Sequence, residues 1–570
     1  MSDSHKLYQT WCEKVDDPAL KADLLAVAND EPEIGDRFYR TLSFGTAGLR
    51  GVLGAGTNRM NVYTVGAATQ GLCQWLGKKY GDAAVAIAYD SRNNSTLFAQ
   101  RSAEILAANG IKVHIFDELM PTPALSFAIL HLHCQAGIVV TASHNPSKYN
   151  GYKVYGPEAY QLSPEEADEV LREIETVDYF SGIKTIPFEE GLRTGVIQYI
   201  GKDTVDAYID AVLSEQVDKD ICRQSPISVV YTPLNGAGNH CVRKILDRIG
   251  VETVAVVPEQ EQPDGDFPTC PYPNPEEATA MELGLRLCER LGYDILLATD
   301  PDSDRAGVAV RHQGRIVRLS GNEIGVLMLQ YIVERRRETG TLPKDPIVVK
   351  SVVSTKLCDR LAGELGVQVI DVLTGFKYIG ELVAELEQKG EADRFLLGFE
   401  ESSGYLTGPH ARDKDAVNAA MIICEMTAYY KSKGKTLLDV LDGIYSVCGR
   451  YLNVVDSYTF EGEDGSVKMA GMLRTLRAGA PSEIGGHAVA ATGDYLSGKR
   501  ALADGGEETI TLPESDILEY TLENGASVIV RPSGTEPKIK VYYSLSAATL
   551  EQAQQLYEQV SAGVKALLGV

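Results

Sequence analysis

The chain reads DILLATDPDSDR at residues 294–305, and this stretch contains both a strand and the polar loop that ends it. The apolar run at its start is typical of a strand that is buried on both faces of a parallel sheet. Pro301 keeps the following loop from being helical. Ligands of such sheets bind beyond the carboxyl ends of the strands, so we expect this loop to carry chemistry.

The same pattern recurs along the chain. A short apolar run leads into a polar or glycine-rich loop at AVAIAY (84–89), AGIVV (136–140), ISVVY (227–231), IVV (347–349) and RFLL (394–397). Amphipathic segments alternate with these runs, which predicts about three similar α/β units in tandem, with mixed and largely parallel sheets. The C-terminal part differs, because the runs SVIV (527–530) and IKVYY (539–543) flank a loop and a helix-like segment follows at 547–567. This part predicts a smaller α+β domain.

Length and charge limit the possible partners. The chain has 570 residues, which suggests about three to five domains. Its net charge of −25 repels nucleic acid and anionic membranes, so we expect neither as a partner. The ten cysteines form no C-x-x-C pair, the N-terminus has no apolar signal core, and no apolar run is long enough for a bilayer. We therefore expect a cytoplasmic protein with free thiols.

The loop at residues 300–305 is the clearest metal signal. Asp300, Asp302 and Asp304 stand at every second position and can converge on one hard cation. A calcium EF-hand is excluded, because Arg305 stands where that loop needs glycine and Arg311 stands where it needs glutamate. A solvated acidic turn remains the alternative. Three carboxylates leave room for substrate or phosphate oxygens, which suits Mg²⁺.

A second loop, TASHNP at residues 141–146, presents Ser143 beside His144 at the end of a predicted strand. An ordinary turn is the alternative, because serine, asparagine and proline all favour turns. A Ser-His-Asp hydrolase is disfavoured, because adjacent residues cannot easily face each other as nucleophile and base and no G-x-S-x-G motif surrounds Ser143.

Three further loops could bind anions or hydroxyl groups. The loop RPSGTEPK (531–538) combines an arginine, two hydroxyls and a glycine, which together suit a phosphate group. The loop SFGTAGLRG (43–51) is rich in glycine and contains Arg50, and GFEESSG (398–404) offers acceptors and hydroxyls for a sugar. Taken singly, each of these could be a surface loop without a ligand.

In this order, the motifs FGTAGLRG, TASHNP, DPDSDR, GFEESSGY and RPSGTEPK resemble those of the α-D-phosphohexomutase superfamily. The resemblance spans residues 44–538, and the LTGFKYIG and GFEESSGY segments are most similar to the phosphoglucomutase type 2 family. It implies three related α/β domains and a smaller C-terminal domain around a central cleft. We therefore expect a helical extension at 1–40, followed by domains at 41–215, 216–335, 336–475 and 476–570.

The resemblance also implies roles for individual residues. Ser143 would be the phosphoserine, Lys153 the general acid or base, and Arg50 an active-site arginine. Mg²⁺ would be bound by Asp300, Asp302 and Asp304 together with an oxygen of phosphorylated Ser143. The substrate would be contacted by Arg305, Thr374, Glu400, Ser402 and Lys414. The non-reacting phosphate would be held by Arg531, Ser533, Gly534 and Thr535.

The implied activity is that of a phosphoglucomutase, which interconverts glucose 1-phosphate and glucose 6-phosphate with glucose 1,6-bisphosphate as intermediate and activator. A phosphopentomutase, a phosphomannomutase or a glucose 1,6-bisphosphate synthase could use the same residues. Mannose phosphate is disfavoured, because Ser403, Gly404 and Tyr405 stand where many phosphomannomutases carry a histidine. A catalytically silent homologue that binds phosphosugar is the alternative of another class, and the sequence leaves the oligomeric state open.

Overall fold

The computed structural model describes residues 3–45, 48–460, 463–532 and 538–570. These residues form two compact units. The first unit contains Met1–Ser320, Ile379–Phe395 and Ser402–Gly434, and the second contains Gly321–Tyr378, Leu396–Glu401 and Lys435–Val570. Within the described ranges, no helix combines the length and the apolar character needed to cross a membrane.

Three helices open the first unit: α1 (Asp3–Lys14), α2 (Pro18–Ala26) and α3 (Glu31–Phe38). Asp17 caps α2 and Asp30 caps α3 by accepting hydrogen bonds from backbone N–H groups of the first turn. Trp11, only 1% exposed, packs against the rings of Phe38 and Phe180. Because Phe180 lies beyond these helices in the chain, this contact attaches them to the first α/β region.

The first α/β region contains a six-stranded sheet. Its elements in chain order are β1 (Gly48–Val52), α4 (Val62–Lys79), β2 (Ala84–Tyr89), α5 (Ser95–Ala108), β3 (Lys112–Phe116), α6 (Thr122–His131), β4 (Ala136–Val140), β5 (Tyr149–Tyr155), α7 (Pro164–Ile174), α8 (Phe188–Thr194), β6 (Ile197–Ile200) and α9 (Lys202–Ser214). The strand order is β1-β5-β4-β2-β3-β6. β2 is parallel to β3 and β4, whereas β5 is antiparallel to β1 and β4. The loops that follow β2 and β4 therefore lie side by side at one edge of the sheet.

The second α/β region is also part of the first unit. It contains α10 (Ile221–Gln224), β7 (Ser228–Thr232), α11 (Gly238–Ile249), β8 (Thr253–Val256), α12 (Pro258–Glu261), α13 (Ala278–Leu291), β9 (Ile295–Thr299), β10 (Ala306–His312) and β11 (Arg315–Leu319). The strand order is β11-β10-β9-β7-β8, with β7 parallel to β8 and β9. β10 is antiparallel to both of its neighbours.

The loops after β4 and β9 differ from the sequence expectation in one respect. Each loop leads into an antiparallel strand, β5 or β10, and not into an amphipathic helix. The first five residues of β10 are all buried, and periodicity cannot distinguish such a run from a buried helix. Both polar loops therefore connect two strands that pair with each other antiparallel.

The third α/β region contributes to both units. Its elements are α14 (Gly321–Thr339), β12 (Ile347–Ser351), α15 (Leu357–Leu365), β13 (Gln368–Val372), α16 (Lys377–Gln388), a 3₁₀ turn (Ala392–Arg394), β14 (Phe395–Glu400), β15 (Gly404–Leu406), α17 (Ala416–Ser432) and α18 (Leu437–Cys448). β12 lies between β13 and β14 and is parallel to β13. In the first unit, Asp415 caps α17 by accepting the N–H groups of Val417 and Asn418.

The C-terminal region, in the second unit, has an antiparallel sheet. It contains β16 (Arg450–Thr459), α19 (Glu463–Ala478), β17 (Glu483–Ile484), β18 (His487–Asp494), β19 (Lys499–Leu502), β20 (Glu507–Thr509), β21 (Leu518–Leu522), β22 (Ser527–Pro532), β23 (Lys538–Ala547) and α20 (Leu550–Leu568). The strand order is β16-β23-β22-β21-β18-β19-β20, and β17 pairs with β18. The predicted fold class, three tandem α/β domains and a smaller α+β domain, is confirmed.

Candidate active site

The three predicted metal ligands meet inside the first unit. Asp300, Asp302 and Asp304 are 0%, 0% and 2% exposed, and one carboxylate oxygen from each lies within 4.8 Å of the others. The interpretation as a solvated acidic turn is therefore wrong. Two of their oxygens, Asp302 Oδ1 and Asp304 Oδ1, are buried and have no hydrogen-bond partner in the described part of the chain. Buried acceptors that lack a donor are costly, so this donor set fits a divalent cation.

The backbone of the loop turns these carboxylates inward. Asp300 Oδ1 accepts the N–H groups of Asp304, at 3.1 Å, and Arg305, at 3.0 Å. Ser303 has φ +52°, in the left-handed region that few non-glycine residues adopt. Asp300 thus stabilises the turn through these two hydrogen bonds, and Asp302 and Asp304 lie close to its carboxylate.

The pKa values of Asp300 and Asp302 are shifted in opposite directions. Burial and the charges of Asp302 and Asp304 raise the pKa of Asp300 well above its usual range. Burial would also raise the pKa of Asp302, but the ammonium group of Lys153 holds that pKa well below its usual range. A bound cation would offset the repulsion, so metal binding is expected to release a proton from the cluster.

Ser143 lies against the metal cluster. Ser143 lies in the loop that follows β4, is 4% exposed and has φ +52°. Its hydroxyl donates to Asp300 Oδ2 at 2.7 Å, and His144 Nδ1 lies 3.1 Å from the same Oγ. The structure therefore brings together the two loops that the sequence identified as candidates.

Two lysines neutralise the cluster from its sides. Lys153 Nζ, on β5, lies 3.0 Å from Asp302 Oδ2 and 4.0 Å from Asp304 Oδ2. Lys414 Nζ, just before α17, lies 3.0 Å from Asp304 Oδ2 and 3.0 Å from Asp413 Oδ1. The sequence grouped Lys414 with sugar-contacting positions, whereas in the structure its ammonium group binds a predicted metal ligand.

Arg50, Arg305 and Ser402 are also in the first unit. Arg50 is exposed on β1, opposite Gly151, and half-buried Arg305 pairs with Glu276 at 3.2 Å. Burial, followed by the positive charges of Arg305 and Arg50, lowers the pKa of His144 well below its usual range. His144 is therefore a neutral imidazole at pH 7, and its Nδ1 can form a hydrogen bond with Ser143 Oγ. Ser402 is half-buried before β15.

The second unit holds the other predicted ligand-binding residues. Glu400 ends β14 and accepts the N–H group of Gly375 at 2.7 Å. Thr374 precedes Gly375, and its buried hydroxyl has no hydrogen-bond partner among the residues that the structure describes. Arg531, near the end of β22, is half-buried and opposite Lys540 in β23. The predicted phosphate-binding residues Ser533, Gly534 and Thr535 lie outside the described residues.

Sequence reasoning missed three residues that hold the site together. Thr122 donates a hydrogen bond to Asp302 Oδ2 at 3.0 Å. Asp413 pairs with Lys414 and also accepts a hydrogen bond from the hydroxyl of Tyr155 at 2.6 Å. Arg92 donates to the carbonyl oxygen of Ser143. Of these three residues, only Arg92 could have been found from the sequence. It lies in the loop after β2, and Ser143 lies in the loop after β4. Loops that follow adjacent parallel strands lie close together.

Comparison with family models gives four matches in order. Their descriptions are phosphoglucomutase/phosphomannomutase alpha/beta/alpha domain I at residues 41–180, domain II at 206–314, domain III at 320–447, and the C-terminal domain at 485–562. Among curated relatives, a phosphoglucomutase of Staphylococcus saprophyticus is 36% identical over 96% of this chain and 98% of its own. A phosphoglucomutase of Staphylococcus aureus strain USA300 is 35% identical over 96% of this chain and 97% of its own.

Solved structures agree in fold. A phosphoglucomutase/phosphomannomutase family protein from Burkholderia thailandensis has a TM-score of 0.67 and 19% identity, covering 92% of this chain and 97% of that chain. The phosphoglucomutase parafusin from Paramecium, in an open form, has a TM-score of 0.66 and 18% identity, covering 93% and 95%. At these identities the likeness concerns the fold alone.

Proposed function

The chain belongs to the phosphoglucomutase/phosphomannomutase family, and we propose that it is a phosphoglucomutase that works through a phosphoserine at Ser143. It interconverts glucose 1-phosphate and glucose 6-phosphate. The observation that carries the mechanism is the contact between Ser143 Oγ and Asp300 Oδ2, at 2.7 Å, beside two buried carboxylate oxygens that have no hydrogen-bond partner among the described residues. A nucleophilic hydroxyl beside three buried carboxylates suits metal-assisted phosphoryl transfer.

Mg²⁺ would be held by Asp300, Asp302 and Asp304 together with a phosphoryl oxygen on Ser143. When bound, it offsets the charge of the transferring group. A phosphoserine adds about −1.5 to −2 charge beside three aspartates, more than Lys153 and Lys414 can balance. Phosphorylation also removes the proton that Ser143 now donates to Asp300, which leaves that oxygen for the cation.

The chain's own groups then carry out the transfer. A sugar hydroxyl attacks the phosphorus on Ser143, and the bond from phosphorus to Oγ breaks. The proton of the attacking hydroxyl passes to Lys153, whose ammonium group must first release a proton before it can act as the base. The product is glucose 1,6-bisphosphate, which also primes the enzyme. The bisphosphate then reorients in the site, so that its other phosphate faces Ser143. Ser143 Oγ takes that phosphoryl group, which releases the product and completes the mutase cycle.

The remaining residues have binding roles in this proposal. Arg50 assists at the reacting phosphate. The sugar is contacted by five residues: Arg305, Thr374, Glu400, Ser402 and Lys414. Lys414 also pairs with Asp304 at 3.0 Å. The non-reacting phosphate is held by Arg531, Ser533, Gly534 and Thr535. The buried, unpartnered hydroxyl of Thr374 supports a ligand contact there. The enzyme acts in the cytoplasm on free phosphosugars.

A coupled assay tests the substrate. With Mg²⁺ and a trace of glucose 1,6-bisphosphate, we expect faster conversion of glucose 1-phosphate than of ribose 1-phosphate or mannose 1-phosphate. A preference for the ribose compound would identify a phosphopentomutase, and a preference for the mannose compound a phosphomannomutase. No conversion of any of the three would favour a bisphosphate synthase or a silent binding homologue.

Gly404 gives a prediction about Lys414. A Cβ built on Gly404 would lie 2.1 Å from Lys414 Cδ, so Gly404→Ala must displace the lysine from Asp304 and Asp413. Loss of one charge-assisted hydrogen bond costs about 1.5–3 kcal/mol, so we expect kcat to fall by roughly 10- to 100-fold.

The control is Gly77→Ala, on α4, where no atom lies within 4 Å of a built Cβ. That change should leave kcat unaltered and raise the thermal midpoint slightly, because alanine favours a helix over glycine by about 1 kcal/mol. Wild-type kcat in the Gly404→Ala enzyme would show that the position of Lys414 does not matter for turnover.

A further inference from the structure

The guanidinium group of Arg92 is enclosed by the Ser143 loop. Its Nε donates to the carbonyl oxygen of Ser143 at 3.2 Å, and Nη1 donates to those of Pro146, at 3.0 Å, and Tyr149, at 3.1 Å. Its Nη2 donates to the carbonyl oxygens of Ser143 and Asn145. The side chain is 0% exposed. One side chain therefore binds four carbonyls of the loop that carries the nucleophile.

This arrangement needs a guanidinium group. Arginine offers five N–H donors in a rigid planar fork, whereas the three donors of lysine radiate from a single nitrogen atom. Ser143 is held at φ +52°, which costs a non-glycine residue about 1–2 kcal/mol and persists only when the surroundings enforce it. The carbonyl contacts of Arg92 supply such enforcement on the C-terminal side of Ser143.

The N-terminal side of Ser143 is tied to the same group. The N–H of Ser143 donates to Thr141 Oγ1 at 2.8 Å, and Thr141 Oγ1 donates to Asp90 Oδ2 at 2.6 Å. Asp90 in turn pairs with Arg92 at 3.4 Å and accepts its backbone N–H at 2.9 Å. The backbone N–H and the carbonyl group of Ser143 are thus both held, directly or through Thr141, by the buried ion pair of Asp90 and Arg92.

Arg92 is itself held by the second α/β region, which bears the metal cluster. The ring of Phe267 lies 5.0 Å from its guanidinium carbon. Asn93 donates to Asp266 Oδ1 at 2.7 Å, and a Cβ on Gly265 would lie 2.5 Å from the backbone nitrogen of Asn93. The two regions meet so closely here that the position of Arg92 fixes the Ser143 loop relative to Asp300.

We propose that Arg92 is a positioning residue for phosphoryl transfer, which holds Ser143 Oγ at its distance from the metal cluster without touching the substrate. The inference rests on the proposed phosphoserine mechanism and adds a residue to it. It implies that loss of the guanidinium slows transfer to and from Ser143 and leaves sugar binding unchanged. A displacement of about 1 Å at a reacting group can cost 10²-fold in rate.

The test compares Arg92→Lys with Arg311→Lys. Arg311 is a matched control, because its guanidinium also binds backbone carbonyls, those of Cys288 at 2.8 Å and Tyr293 at 2.9 Å, but at the far end of β10 from the cluster. Single-turnover phosphorylation of Ser143 by glucose 1,6-bisphosphate is followed by mass spectrometry, and kcat and KM by the coupled assay. For Arg92→Lys we expect phosphorylation and kcat to fall about 10²-fold with KM unchanged.

Rescue separates positioning from folding. Arg92→Gly leaves space for a free guanidinium ion, and millimolar guanidinium chloride should restore part of the phosphorylation rate in this variant but not in Arg311→Gly. Wild-type rates in Arg92→Lys, equal losses in the two lysine variants, or no rescue would overturn the inference. A wild-type protein that is not phosphorylated and does not turn over would overturn the proposed function, and this inference with it.

Discussion

Ser143→Ala is expected to lower kcat by at least about 10³-fold, because the substitution removes the atom that carries the phosphoryl group between the two half-reactions. The fold should survive. The loop is held through backbone groups, by Arg92 and Thr141, and alanine retains both sets of contacts. The measurements are the coupled assay and the thermal midpoint of the purified variant.

The matched control is Ser147→Ala, the same substitution in the same loop at a half-buried position. We expect that variant to keep wild-type turnover. If Ser143→Ala also turns over at the wild-type rate, the phosphoserine mechanism is wrong, whatever the family resemblance implies.

Asp300→Asn is expected to remove metal dependence and to lower kcat by at least about 10³-fold, since a metal in such a site supplies several kcal/mol of charge stabilisation. Without metal, the same variant should be more stable than the wild type at neutral pH. The pKa of Asp300 is raised in the folded protein, so the folded state binds more protons than the unfolded state and loses stability as the pH rises above the unfolded pKa. Asparagine is neutral at every pH and escapes this loss.

Thermal midpoints with and without MgCl₂ test both statements. The wild type should gain stability with Mg²⁺, by mass action, and Asp300→Asn should not. Asp203→Asn, an exposed aspartate in the first turn of α9, controls for net charge. An Asp300→Asn variant that still gains stability from Mg²⁺, or one that is less stable than the wild type without it, would contradict this account of the cluster.

Where a continuous apolar run stands between polar loops, the start of the strand was predictable to within about one residue. The ends were less predictable, since β14 extends to Glu400 and β23 to Ala547, beyond the runs RFLL (394–397) and IKVYY (539–543). β2 and β4 coincide with the runs AVAIAY and AGIVV, and β9 begins and ends one residue later than DILLA. The antiparallel turns after β4 and β9 were not predictable, since β5 and β10 are themselves too buried to show a period. The C-terminal helix α20 begins at Leu550 because Thr549 caps it and β23 extends to Ala547.

The site was only partly predictable. Asp300, Asp302 and Asp304 converge because they share one loop, and their spacing indicated this. The contact between Ser143 and Asp300 joins residues 157 positions apart in two different sheets, so local spacing could not give it. Arg92 was missed because an arginine in a loop is usually exposed, and only the pairing of β2 with β4 places it beneath Ser143.

Whether Ser143 carries the phosphoryl group can be measured by peptide mapping with mass spectrometry. Wild-type protein is incubated with Mg²⁺ and glucose 1,6-bisphosphate, digested and mapped, and then chased with excess glucose 1-phosphate. We expect one phosphoryl group, on the peptide containing TASHNP and at Ser143, which the chase removes. A phosphoryl group on another residue, or none on a protein that turns over substrate, would contradict the phosphoserine mechanism.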